Sequence, residues 1–158
     1  MQFIYFDLNY AVKTHDKILE VSGGRSGVMD LGLLESILTH IQNDLYYPTF
    51  EDKLTNLVFQ VNKGHCFEDG NKRTSIALGA FFLEVNGLDA LVNNFIIEME
   101  NVAVEVADNI IDRELLKEIV TSLLNEEEYN EALKLKIIAA LEKGKTASPD
   151  IQDDSSVL

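Results

Sequence analysis

A single cysteine, Cys66, occurs in the 158 residues, so an intramolecular disulfide is excluded and a reducing compartment fits. No run of residues approaches the roughly 18 consecutive apolar side chains that a membrane-spanning helix requires. The first seven residues, Met1 to Asp7, lack the charged and long apolar regions of a secretory signal. The expectation is a cytoplasmic chain without a membrane partner. Positive charge is also scarce: 13 Lys and Arg stand against 27 Asp and Glu, for a formal net charge of −14. That balance excludes a protein that grips nucleic acid through a basic surface. It also makes the local grouping of Lys63, Lys72 and Arg73 conspicuous, because a phosphate-bearing ligand approaching an acidic domain needs cations of its own.

What the chain has in quantity is apolar residues at helical spacing, 46% of the total, enough for one domain with a sizeable core. Tyr10 to Val21 reads as an amphipathic helix with Val12, Ile18, Leu19 and Val21 facing inward, stopped at Gly23-Gly24. Asp30 is placed to cap a second helix carrying Leu33, Leu34, Ile37, Leu38 and Ile41. Leu54, Leu57, Val58 and Val61 mark a third, with Gly64 set to end it. From Asn71 to Asn86-Gly87 the pattern is apolar around most of the circumference, as in a central buried helix. Phe95 to Val106 and Asp112 to Leu124 predict two more, while Leu88 to Leu91 reads equally as a short strand or a turn. The whole is all-α: a domain over 1–125, an added amphipathic helix over 126–143 in which Leu133, Ile137, Ala140 and Leu141 share a face, and a tail over 144–158 whose Ser, Asp and Pro content predicts disorder.

The chemistry is concentrated between Gly64 and Thr74. Each member has an ordinary explanation: His65 as a helix-end histidine, Asp69 or Asn71 as a helix cap, Lys72 and Arg73 as exposed first-turn side chains. Two cations in a first turn nevertheless oppose the helix dipole, and a bound phosphate would reverse that penalty. A phosphate-binding P-loop does not fit, since five residues rather than four separate Gly64 from Gly70, Asn71 precedes Lys72, and a helix precedes the loop. An EF-hand fails on the number and spacing of acidic residues.

Taken in order, His65, Phe67, Asp69, Asn71, Lys72, Arg73 and Thr74 resemble the HxFxDxNKRT signature of the Fic/Doc family, in its death-on-curing (Doc) branch. His15-Asp16, Gly23-Gly24, Gly27 and the run Asp30 to Ser36 resemble the first helix and glycine-rich loop of Doc proteins. Phe81, Leu83 and Asn86-Gly87 resemble the end of their central helix, so the resemblance covers about residues 8 to 125. It implies a compact helical bundle with the motif loop at the start of the central helix. It further implies His65 as the base that activates a target hydroxyl, Asp69 as the Mg²⁺ ligand, and Gly70, Asn71, Lys72 and Arg73 as the cradle for ATP phosphates. Phe67 is expected to anchor the loop rather than take part.

The departures from the AMP-transferring pattern, HxFx(D/E)GNGRxxR, point to the reaction. Lys72 replaces its second glycine and Ile76 its second arginine, as in Doc proteins, which resemble kinases that move the γ-phosphate of ATP to a threonine of elongation factor Tu and so arrest translation. Gly70 follows the AMP-transferring pattern, where Doc proteins carry Ala. AMP transfer, or a module that binds nucleotide or phosphopeptide without turnover, are the alternatives. Doc proteins are silenced by a cognate antitoxin. Self-inhibition in the wider family uses a helix with Ser or Thr followed four residues later by Glu, and Ser122 to Glu126 matches it in part. For the helix over 126–143, packing on the core, mimicry of an antitoxin segment and a homodimer contact all stand open, packing being the simplest.

Overall fold

In a computed structural model, which describes residues 2–147, seven α-helices follow one another: α1 Leu8–Ser22, α2 Leu31–His40, α3 Phe50–Lys63, α4 Asn71–Val85, α5 Val92–Ala107, α6 Arg113–Leu124 and α7 Glu131–Ala147. Asp89–Leu91 forms a 3₁₀ turn, which resolves the ambiguity at Leu88 to Leu91. The described residues contain no strand, only an isolated antiparallel bridge between Val28 and Phe67, so the protein is all-α. Residues 148–158, most of the expected tail, lie outside the described residues.

Side-chain oxygens start most of these helices. Asp7, Asp30 and Asp112 accept from the third residue beyond, and Thr49 with Asp52 forms a reciprocal capping box on α3. Leu54, Leu57, Val58 and Val61 on α3 are buried as their spacing predicts. α4 packs against α1, α3 and α5, and so occupies the centre. Gly79 permits that position, because a Cβ there would stand 2.8 Å from the Phe95 ring and 2.9 Å from Val58 Cγ2. Phe82 and Leu83 fill the core beneath, with Phe82 stacked on Phe50 at 4.8 Å.

Two boundaries differ from expectation. Residues 126–128 do not begin the last helix. Glu126 takes a left-handed φ of 54°, its N–H donates to Leu123 O, and Glu127 N–H donates to Ser122 O, a pairing that closes α6 and turns the chain. Helix α7 starts later, where Asn130 Oδ1 accepts from Leu133 N, and it runs on through Gly144 to Ala147, residues expected to be disordered. Gly144 lies against Ile110, which explains why helix persists there: the last turns are packed. The buried face of α1 also differs. Ala11 and His15 face inward while Val21 is 75% exposed: α1 meets α4 from Tyr10, stacked on Phe81 at 4.1 Å, to Ser22 and Gly23, which accept from Arg73, and Val21 falls on the solvent side of that contact.

Candidate active site

Helix α3 delivers the chain to the site in an unusual way. Gly64 follows it with a right-handed φ of −74°, and His65 takes the left-handed φ of 50°. Glycine is needed at 64 for space: a Cβ would lie 2.6 Å from Gln60 O and 3.1 Å from Leu33 Cδ2. The His65 side chain is exposed. Cys66 and Phe67 then turn fully inward, and burial pushes the Cys66 thiol up to about 11, so it remains protonated and unreactive. Phe67 is the anchor that the sequence implied.

Three sets of bonds hold the loop. The Asn71 amide donates from Nδ2 to Phe67 O at 3.0 Å, and its Oδ1 accepts from Phe67 N at 3.2 Å. The segment Gly27 to Asp30 runs alongside: Met29 N and Asp30 N both donate to Cys66 O, and Glu68 N donates to Gly27 O. From beneath, the buried His15 ring stacks on Phe67 and its Nε2 lies 2.6 Å from Asp69 O. Asn71 is therefore committed to the backbone of its own loop, whose shape it holds.

Neither Asp69 nor Asn71 caps α4. The N-cap is Gly70, with a left-handed φ of 81° and no side chain to offer, so the first-turn N–H groups of the central helix have no side-chain partner. This is the arrangement that binds anions. Asp69 turns its carboxylate the other way: Oδ2 accepts from Arg25 N at 3.1 Å and Oδ1 from Gly70 N at 2.8 Å. These two backbone N–H groups, aided by Arg73 and Arg25, hold its carboxyl below the usual carboxylate range. It is ionised at neutral pH and 41% exposed, so its remaining lone pairs face solvent. Among the described residues no three His, Cys, Asp or Glu side chains converge. So few carboxylates, Asp69 with Glu68 beside it, suit Mg²⁺, which takes one or two carboxylates and completes its shell with phosphate oxygens and water; they do not suit a structural zinc or a calcium cage.

His65, Asp69, Gly70, Asn71, Lys72 and Arg73 all line one cleft of about 290 Å³, with Asn62, Glu68 and Ala107. Sequence spacing alone placed those six together, and the fold keeps them so. The cations are distributed differently from expectation. Lys63 turns away to Val106 O and Asn109. Arg73 donates to Gly23 O at 2.9 Å and to Ser22 Oγ, answering the C-terminal end of α1, while its Nη2 stays 3.9 Å from Asp69. Lys72 is exposed, and among the described residues its ammonium has no ion-pair partner. Arg25, which the sequence did not single out, arrives from the loop after α1 and pairs with Glu68 at 3.4 Å, while His15 and Gly24, known from the sequence only as part of the resemblance, prove to border Asp69. A larger cleft of about 1020 Å³ between α6 and α7 contains no His, Cys, Ser or Thr. Glu126 lines a third cleft near Asn94 and Glu98, whereas Ala107 of the same helix lines the motif cleft. At 1.5 Å per residue along α5 the two are roughly 15–20 Å apart, so Ser122 to Glu126 does not face the motif.

Comparison with known proteins finds relatives for this sequence. A profile of the Fic/DOC family matches residues 5–83. Toxin Doc of Mycolicibacterium smegmatis is 34% identical over 89 residues, 54% of this chain and 68% of that protein. Protein kinase doc of Escherichia phage P1 is 35% identical over 81 residues, 49% of this chain and 64% of that protein. The chain thus spans about two thirds of each relative, and the profile match takes in α1 to α3, the motif loop and most of α4, while Ala107 of α5, which also lines the cleft, lies outside it. Helix α7 lies outside the profile match.

Proposed function

The chain belongs to the Fic/DOC family, and from that membership we propose that it transfers the γ-phosphoryl group of ATP to a Ser or Thr hydroxyl of a protein target, as the toxin of a toxin–antitoxin pair. The observation that carries the reading is the start of α4. Its N–H groups lack a side-chain cap, Lys72 projects beside them without an ion-pair partner among the described residues, and Asp69 stands ionised at the same turn.

In this reading the phosphates of ATP lie against the α4 N-terminus, where the helix dipole and Lys72 answer charge that grows on the transferred group. His65 takes the proton of the target hydroxyl, the task that imidazole most often performs as a general base. The hydroxyl oxygen bonds to the γ-phosphorus, the bond from that phosphorus to the β–γ bridging oxygen breaks, and ADP leaves. Asp69 would hold Mg²⁺, which supplies charge neutralisation for the phosphates.

Phosphotransfer rather than AMP transfer is supported by Lys72 and Ile76, at the positions where AMP-transferring relatives carry Gly and Arg, and by the kinase name of the phage relative. Ile76 is partly buried against the core and offers no phosphate clamp. Gly70 does not favour AMP transfer, because its left-handed φ accounts for glycine whatever the reaction. Elongation factor Tu is the target, and a cognate antitoxin the partner, that the family relationship brings to this chain. The test uses ATP labelled separately at the α and γ positions with purified elongation factor Tu and with lysate. Label from the γ position on a Ser or Thr is expected; α-label on the target would replace this reading with AMP transfer.

A further inference from the structure

His15 is fully buried, yet the proposed chemistry gives it no step. Its ring lies almost parallel to Phe67, with centroids 3.8 Å apart and planes 5° from each other. Nε2 lies 2.6 Å from the Asp69 carbonyl oxygen, and since a carbonyl can only accept, Nε2 carries the hydrogen and donates. Nδ1 lies 3.3 Å from Asp16 Oδ1; with the ring hydrogen on Nε2 both of these atoms are acceptors, so the Nε2 bond and the Phe67 stack are what fix the ring. The ring edge also stands 3.5 Å from where a Cβ on Gly70 would be. One imidazole thus touches Phe67, Asp69 and Gly70, the stretch that joins the proposed base to the start of α4. An apolar side chain could fill this volume, so packing alone does not require a histidine, whereas a donor aimed at the Asp69 peptide does.

We propose that His15 is a positioning residue for Asp69: its Nε2–H pins the Asp69 peptide from below, so that the carboxylate, held above by Arg25 N and Gly70 N, is presented into the cleft. The assignment rests on the reading of Asp69 as the Mg²⁺ ligand for its functional consequence, but its geometric content stands apart from that reading. Asp69 is gripped at both ends, carbonyl and carboxylate, by groups from α1 and the loop that follows it. Removing the lower grip frees the peptide to rotate and takes the carboxylate with it.

Two donorless variants of the full chain, His15→Phe and His15→Leu, are compared with His15→Gln, whose amide can still donate. Amide hydrogen exchange reads Gly70 and Arg25, whose N–H groups bond to the Asp69 carboxylate. Calorimetry reads ADP affinity with and without Mg²⁺, and thermal melting reports the fold. The donorless variants should exchange Gly70 and Arg25 at least tenfold faster, with the amides of α3 and α6 unchanged. Mg²⁺-dependent ADP affinity should fall about tenfold while affinity without Mg²⁺ stays within twofold, and His15→Gln should restore both. Unchanged exchange at Gly70 and Arg25 would overturn the proposal, as would loss in His15→Gln equal to that in His15→Phe, or failure of both donorless variants to fold. Should the unsubstituted protein show no Mg²⁺ effect on ADP, the metal reading of Asp69 falls, and the exchange data alone still decide the role of His15.

Discussion

Gly64 and His65 exchange the roles that helix ends normally assign: the glycine keeps a right-handed φ of −74° and the histidine takes the left-handed φ of 50°. A left-handed residue with a Cβ costs about 1–2 kcal/mol, and here that strain sits on the proposed base. Its exposed side chain lines the cleft.

His65→Gly should therefore stabilise the fold by about 1 kcal/mol while abolishing transfer to a protein target. His65→Ala, which keeps the Cβ, should leave stability nearly unchanged and abolish transfer equally. Urea unfolding with labelled-phosphate transfer checks both. Transfer by either variant removes His65 from the mechanism.

Gly24 borders Asp69 closely enough that a Cβ would stand 2.8 Å from Asp69 Oδ2 and 3.1 Å from Arg73 Nη2. Gly24→Ala should displace that carboxylate, cost about 1–3 kcal/mol, and weaken Mg²⁺-dependent nucleotide binding at least tenfold. Gly23→Ala is the control: its φ is also positive at 79°, but nothing lies within 4 Å of the added methyl. It should cost only the backbone strain and leave binding intact, as calorimetry would show.

Two carboxylates link stability to pH. Burial pushes Asp52 upward, but its hydrogen bonds with Lys117 at 2.6 Å and with Thr49 outweigh this and hold it below its ordinary value; Asp69 is held low by the Arg25 and Gly70 N–H groups. A folded value below the unfolded one gives stability that is fully present above the unfolded value and is lost as pH falls through the folded one. Melting temperature should therefore be insensitive to these two groups from pH 7 to 5 and fall below about pH 4. Asp52→Asn should flatten part of that acid limb. Asp69→Asn should alter it less, because the exposed carboxylate is solvent-screened, while abolishing Mg²⁺-dependent nucleotide binding. An acid limb identical in Asp52→Asn would refute the linkage.

Glu126 resides at the far end of α5 from the motif cleft, and Ile76 replaces the arginine that such a glutamate would engage in the wider family. Glu126→Ala should leave the rate of transfer within twofold. A rise of tenfold or more would establish inhibition by this segment and contradict the geometry.

The element types were legible because local rules agree with global packing: Asp30, Asp112 and the third-helix apolar stripe act in the fold as their spacing implied. The misplaced start of α7 shows where such reading fails. Glu126-Glu127-Glu128 has the composition of a helix start, yet the same residues serve as the closing turn of α6, a choice made by the Ser122 and Leu123 carbonyls. The face of α1 failed for a related reason: Val21 and Ala11 are both apolar, and only contact with α4 decides which is covered.

The sequence by itself determined the all-α architecture and the grouping of His65, Asp69, Gly70, Asn71, Lys72 and Arg73, because helical periodicity and an eleven-residue run are local properties. Tertiary structure alone decided how these residues act. It brought Arg25 and Gly24 against Asp69 from 44 and 45 positions away and the His15 ring beneath it from 54. It turned Lys63 outward, spent Asn71 on the loop backbone and left the start of α4 without a cap. Hydrogen bonds between residues so far apart depend on how helices pack, and the local spacing that reveals a helix carries no record of its neighbour.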